Sequence, residues 1–109
     1  MPFYVTDRYG QVLKNPAFAT FRQLLAQLHE HLEDLEHVCV SVTHESGWCL
    51  GAYASGRLVW ENIEEPDGSP RHRFGVEEAE IVRLWETLAR GEFMTIDRLP
   101  WRPGYGLRS

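Results

Sequence analysis

The sequence predicts an α+β domain in which an antiparallel sheet of four to six strands carries two helices. The first observation is a three-strand meander over about residues 38–63, whose apolar runs are divided by the turn dipeptides Ser46-Gly47 and Ser55-Gly56. The second and third are apolar stripes with helical spacing over about residues 16–35 and 76–90. At 109 residues, the chain is expected to form one domain, residues 1–109.

Two short apolar runs near the N-terminus, Phe3–Val5 and Gln11–Leu13, flank a turn-forming segment and predict a hairpin or strand-turn. Asn15-Pro16 then predicts the start of the first helix, because Asn is a good N-cap and Pro suits the first helical position. The stripe that this helix must bury comprises Phe18, Phe21, Leu24, Leu25, Leu28, Leu32 and Leu35.

The second half of the chain predicts a further strand, the second helix and an extended tail. Arg71–Phe74 is expected to be an edge strand, since its alternating charges discourage pairing with another sheet. Gly91 is expected to end the second helix, whose first turn is acidic. The buried stripe of that helix comprises Ile81, Leu84, Trp85 and Leu88.

The turns also predict which residues share a face of the sheet. A two-residue loop at Ser46-Gly47 places Cys49 opposite His44 and Cys39 opposite Ala54, so the cysteines lie on opposite faces and too far apart for a disulfide. The face beneath the first helix is expected to carry Val38, Val40, Val42, Cys49, Gly51, Tyr53, Leu58 and Trp60. The other face is expected to carry Cys39, Ser41, Thr43, Trp48, Leu50, Ala52, Ala54, Val59 and Ile63.

Charge is spread unevenly along a chain of net charge −5. Residues 30–67 carry nine acidic residues against Arg57 alone, for −8, whereas the segments before and after are slightly basic. This block argues against nucleic acid as a direct partner, because phosphate binding rests on clustered Lys and Arg. It fits a basic protein partner and is equally compatible with a solvated acidic surface.

The sequence lacks the common motifs of catalysis and metal binding. His29 and Glu33 have i, i+4 spacing, but nothing supplies a clear third ligand, so neither a metal nor another cofactor is predicted. The cysteines lie outside the settings that lower a thiol pKa, and no nucleophile elbow, phosphate loop or dinucleotide fingerprint is present. The sequence therefore predicts a protein that is not an enzyme.

Three segments resemble small immunity proteins encoded beside bacterial polymorphic toxins, including Rhs-type and contact-dependent toxins: Val38–Trp48, Leu58–Glu61 and Val76–Arg90. The resemblance implies an antitoxin that binds one cognate toxin domain and covers its active site. It also implies a basic toxin that acts on nucleic acid. A cytoplasmic location is expected, since the N-terminus does not have the pattern of a signal peptide and no apolar run approaches the ~20 residues that span a bilayer.

The residues expected to bind this partner are Glu45, Trp48, Glu61, Glu64, Glu65 and Asp67. The acids would complement a basic toxin, and Trp48 would be the apolar anchor. Two alternatives remain open. A small ligand-binding domain or enzyme would use a pocket between the sheet and the tail Trp101–Gly106, lined by Arg102 and Tyr105. A homodimer would form through the face that carries Trp48, Leu50, Val59 and Ile63.

Overall fold

The computed structural model describes residues 3–30, 39–65 and 70–104. These residues form three helices and an antiparallel sheet of seven strands in the order β2-β1-β3-β4-β5-β6-β7. The strands are β1 (Phe3–Thr6), β2 (Val12–Lys14), β3 (Cys39–His44), β4 (Trp48–Tyr53), β5 (Arg57–Asn62), β6 (Arg71–Phe74) and β7 (Arg102–Pro103). The helices are α1 (Thr20–Gln27), α2 (Glu78–Ala89) and α3 (Phe93–Asp97). The α+β class is confirmed, with one helix and at least one strand more than expected.

All three helices contribute to a hydrophobic core on one face of the sheet. Val42, Leu50 and Trp60 stand side by side on β3, β4 and β5 and are fully buried. Phe21 of α1 and Trp85 of α2 are in contact, with ring centroids 5.8 Å apart, and the indole N–H of Trp85 donates to the carbonyl of Leu50 at 2.9 Å. Each such side chain stabilises the fold by about 1.5–3 kcal/mol through burial.

Both turns of the central meander are one residue longer than expected. The register pairs Thr43 with Cys49, and the N–H of Gly47 donates to the carbonyl of His44 at 2.9 Å. Gly47 has φ 97°, so it occupies the left-handed position that follows a type I turn in a three-residue loop. The second turn repeats this arrangement, with Gly56 at φ 90°.

The longer loops correct the predicted faces of β4. A shift of one residue inverts a strand, so Trp48, Leu50 and Ala52 join the helix-covered face, whereas Cys49, Gly51 and Tyr53 lie on the opposite one. The second shift cancels the first, and Leu58 and Trp60 therefore lie on the helix-covered face as expected. The dimer face of Trp48, Leu50, Val59 and Ile63 does not exist, because Leu50 and Val59 point to opposite sides.

The first helix begins later than Asn15-Pro16 suggested. Asn15 has φ 46°, and its side-chain oxygen accepts the N–H of Phe3 at 2.9 Å. It therefore joins the open ends of the N-terminal hairpin and does not cap a helix. The helix starts at Thr20 after a turn. It ends at Gln27, and residues 28–30, which were expected to be helical, form a turn. The part of the predicted helix over residues 31–35 lies outside the described residues.

The C-terminal segment forms a helix and a short strand where an extended tail was expected. Residues of α3 pack on the core, and Ile96 is fully buried. β7 pairs with β6, so β6 is an interior strand of the sheet and not its edge. In the described part of the chain, none of the helices has the length and apolarity needed to cross a bilayer.

Candidate partner-binding site

The first turn of the meander and the end of β5 are locked together by hydrogen bonds around one buried side chain. Asn62 is 8% exposed; its Nδ2 donates to the carbonyl of Ser46 at 3.4 Å, and its Oδ1 accepts the N–H of Glu64 at 3.0 Å. The N–H of Ile63 donates to the carbonyl of Gly47 at 2.9 Å. Because these bonds join both segments through backbone groups, the two segments hold a defined relative position.

Gly47 is required at the centre of this junction for two reasons. Its φ of 97° is strained for any residue with a Cβ. A Cβ at this position would also lie 2.4 Å from Oδ1 of Asn62 and 2.4 Å from Cγ of Glu64. The close approach of Glu64 therefore depends on the missing side chain.

The junction presents three exposed carboxylates and one exposed apolar side chain. Glu45 lies in the turn, Glu64 and Glu65 follow β5, and Ile63 is 54% exposed. We call these four residues the acidic end. Asp67, which was expected to belong to the same site, lies outside the described residues.

Glu61 does not join the acidic end. It is half-buried on β5, where its register partner is Cys49, so it projects from the sheet face opposite the helices. Its charge contributes to raising the pKa values of both cysteine thiols, after the larger effect of burial. Glu61 therefore acts on a different surface from Glu45 and Glu64.

Trp48 also differs from its expected setting. It is half-buried on the helix-covered face, where its ring stacks on Trp60 with centroids 4.6 Å apart and an interplanar angle of 12°. Phe93 of α3 packs on it from 6.2 Å. The exposed apolar residue beside Glu64 is Ile63, which was not among the residues expected to bind the partner. The sequence feature that could have indicated a role for Ile63 in binding is its position directly before Glu64-Glu65.

The two cysteines lie on the same face, because the corrected register pairs Cys39 with Tyr53 and Cys49 with Thr43. They are four positions apart along the strands, about 13 Å, which is too far for a disulfide. Burial raises the pKa of the Cys39 thiol to about 11 and also raises that of Cys49. Both thiols are thus protonated near neutral pH and poorly suited to nucleophilic attack or metal binding.

Each of the described histidines, His29, His44 and His72, has a polar contact within the protein. Nε2 of His29 lies 2.6 Å from Oε2 of Glu78, and Nδ1 of His44 accepts the N–H of Ser46 at 3.1 Å. Nδ1 of His72 lies 2.9 Å from the carbonyl oxygen of Gly104. Across residues 3–30, 39–65 and 70–104, no group of three potential ligands is arranged to hold a metal ion.

The tail does not form the expected clamp over its described part. The indole N–H of Trp101 donates to the carbonyl of Ile96 at 2.7 Å, and Trp101 packs against the core. Arg102 belongs to the short strand β7. Tyr105 and Gly106, the other half of the proposed pocket, lie outside the described residues.

No family model, no curated protein and no solved structure matches this chain.

Proposed function

We propose that this protein is a non-enzymatic immunity protein that acts in the cytoplasm, where it binds a cognate secreted toxin domain and blocks the active site of that toxin. The observation that carries the proposal is the acidic end. Exposed Glu64 and Glu65 directly follow an exposed isoleucine, Glu45 lies in the neighbouring turn, and hydrogen bonds of Asn62 to Ser46 and Glu64 join the two segments.

Rigid presentation supports a role in binding. A flexible acidic loop would lose conformational entropy when a partner ordered it, whereas residues fixed by a hairpin and by Asn62 are already ordered. The junction contains a buried asparagine, Asn62, and a glycine with positive φ, Gly47. Solubility alone does not require such fixed geometry.

The chemistry of the acidic end favours a basic partner surface. Glu45, Glu64 and Glu65 would attract Lys and Arg side chains and would mainly accelerate association. Ile63 would add the desolvated apolar contact that slows dissociation. A toxin that acts on nucleic acid needs a basic active site to hold phosphates, so an acidic inhibitor can occupy that site directly.

The cysteine environment agrees with this assignment. A nucleophilic thiol needs a lowered pKa, and burial moves the pKa of both thiols in the opposite direction. This argues against thiol catalysis by either cysteine.

The test is co-expression with the toxin domain encoded immediately upstream, scored by growth rescue and by co-purification. We expect rescue and a stable stoichiometric complex. Replacing Glu64 and Glu65 by Gln should slow association at least tenfold at low salt and flatten its dependence on salt.

The matched control replaces Glu77 and Glu80 by Gln, which removes the same charge at the start of α2. The control should leave association nearly unchanged. Equal effects of the two double variants would show that only net charge matters and would exclude the acidic end as the contact. Failure of both rescue and co-purification with the wild-type chain would refute toxin binding itself.

A further inference from the structure

We propose that the outer edge of β2 is an interface that pairs with β2 of a second copy of this chain. The two strands would run antiparallel about a two-fold axis at Leu13, making one continuous sheet across both copies. This inference does not depend on the proposed toxin binding, although Glu45 of the acidic end lines a surface pocket together with Lys14 of β2.

The hydrogen-bond pattern of the N-terminal hairpin decides which backbone groups of β2 face outward. The N–H of Asp7 donates to the carbonyl of Gln11, and the N–H of Asn15 donates to the carbonyl of Phe3, both at 2.9 Å. Hydrogen-bonded pairs alternate along an antiparallel ladder, so Leu13 bonds inward to Val5. The N–H and C=O groups of Val12 and Lys14 therefore point away from β1.

Two of the three side chains of β2 are apolar and exposed, and the third is Lys14. Tyr9, Val12 and Leu13 are 45%, 53% and 54% exposed, and every residue from Tyr9 to Asn15 is exposed. Among the described strands, β2 has a neighbour only on its β1 side. An exposed apolar edge with free backbone groups is a template for strand addition.

The opposite edge of the sheet is blocked. The N–H of Gly104 donates to the carbonyl of Pro70 at 2.7 Å, which makes that pair hydrogen-bonded. By the same alternation, Pro103 of β7 is an outward-facing position, and it has no N–H to donate. The chain thus protects one edge with proline and leaves Val12 and Leu13 on the other.

A second copy of β2 fits this edge in one register better than in others. With the two-fold axis at Leu13, Val12 of each copy faces Lys14 of the other, and all outward groups of these four residues form hydrogen bonds. A register centred on Val12 would make only one hydrogen-bonded pair, between the two Val12 residues. A register centred on Lys14 would place two like charges opposite each other.

The same register places the two Leu13 side chains in contact across the axis. They would form a non-hydrogen-bonded pair with Cα atoms about 4.5 Å apart. The only charged residue of β2 is Lys14, and this register places it opposite Val12 of the other copy. No like charges therefore face each other directly across the paired strands.

The first test is light scattering on the full chain over a concentration series. We expect the molar mass to rise from 12.6 kDa toward twice that value. Leu13→Glu and Leu13→Lys should each remain monomeric, and their equimolar mixture should recover the dimer, because opposite charges then meet at the axis. A wild-type chain that stays monomeric, or a mixture that does, would overturn the proposal.

Disulfide trapping tests the register. Leu13→Cys should form an interchain disulfide under mild oxidation, because its Cα separation is within the ~7 Å that a bridge spans. Val12→Cys is the matched control, since its two copies would lie about two residues out of register, roughly 8 Å apart. Equal cross-linking of both variants, or none of Leu13→Cys, would contradict the two-fold axis at Leu13.

Discussion

The indole N–H of Trp60 donates a hydrogen bond to Oδ1 of Asp97 at 3.2 Å. Arg71 binds the same carboxylate oxygen, so one aspartate of α3 ties together a buried tryptophan of β5 and an arginine of β6. Trp60 is completely buried, whereas the side chain of Asp97 is 39% exposed. The short helix α3 is therefore fixed to the sheet through a partly solvated ion pair.

This arrangement predicts a loss of stability in acid. Hydrogen bonding to Arg71 lowers the pKa of Asp97 below its ordinary value of 3.8, despite some opposing desolvation. A lowered pKa contributes stability that is present above pH 3.8 and is lost as pH falls through the folded-state pKa. Asp97→Asn should lower stability by less than about 1 kcal/mol at neutral pH, because solvent screens the pair.

Thermal unfolding of both proteins between pH 2 and pH 7 checks this prediction. The difference in melting temperature should be constant at higher pH and should shrink below about pH 4. A difference that persists unchanged in acid would assign the effect of Asp97→Asn to packing and not to ionisation.

Gly47→Ala should destabilise the fold by more than about 2 kcal/mol, because it combines a positive φ with close contacts. Gly56→Ala is the control: it has φ 90°, but nothing lies within 4 Å of the added Cβ, so only the backbone term of about 1–2 kcal/mol applies. Urea unfolding of both variants measures the two costs. Equal losses would mean that Asn62 and Glu64 move aside without penalty.

Arg8→Ala should destabilise the fold by about 2–4 kcal/mol, since it leaves helix-end carbonyls without a donor. Arg8 is 4% exposed; its Nη1 donates to the carbonyl of Gln27, the last residue of α1, at 2.7 Å and also to that of Glu30 in the turn that follows. Arg22→Ala, on the exposed side of α1, should change stability by less than about 0.5 kcal/mol. Denaturant titration of both variants is the measurement, and similar small losses would exclude this capping role.

Alkaline conditions should weaken the fold through Cys39. Burial raises its pKa from 9.0 to about 11, so the stability it contributes is complete below pH 9.0 and is lost as pH rises toward 11. Burial, and after it the neighbouring Cys39, raises the pKa of Tyr53 to about 12, so Cys39→Ala should remove the cysteine's part of the alkaline decline and reduce the part due to Tyr53. Unfolding free energies of both proteins between pH 7 and pH 10.5 test the expectation. An identical decline would exclude ionisation of Cys39 as a cause.

Sequence patterns predicted the elements of this fold better than their exact pairing. The stripe of α2 and the apolar runs of β3 and β5 are strong periodic signals, and each lies where its pattern indicated. Ser46-Gly47 and Ser55-Gly56 marked both turns, but a glycine with positive φ fits loops of two or three residues equally well. The pairing register, and with it the placement of Trp48, depended on that choice.

The candidate site was predictable only in part. The acids Glu45, Glu64 and Glu65 were visible as charges, but the role of Asn62 was not, because an asparagine at the end of a strand has many uses. Its importance comes from burial, from a hydrogen bond to the carbonyl of Ser46, 16 residues away, and from a local one to the N–H of Glu64. Similarly, Asn15-Pro16 has a helix-start pattern, but the side chain of Asn15 accepts the N–H of Phe3 and is therefore not a helix cap.

The three-residue loops on either side of β4 limit how the length of this chain can change. Removing one residue from either loop would reverse the faces of the strand beyond it and would bring buried side chains such as Trp60 out to solvent. Changes of two residues keep the alternation and need only a different turn. Natural or engineered length variation at these two turns should therefore come in even steps, whereas substitutions at exposed loop positions such as Ser55 leave the strand register unchanged.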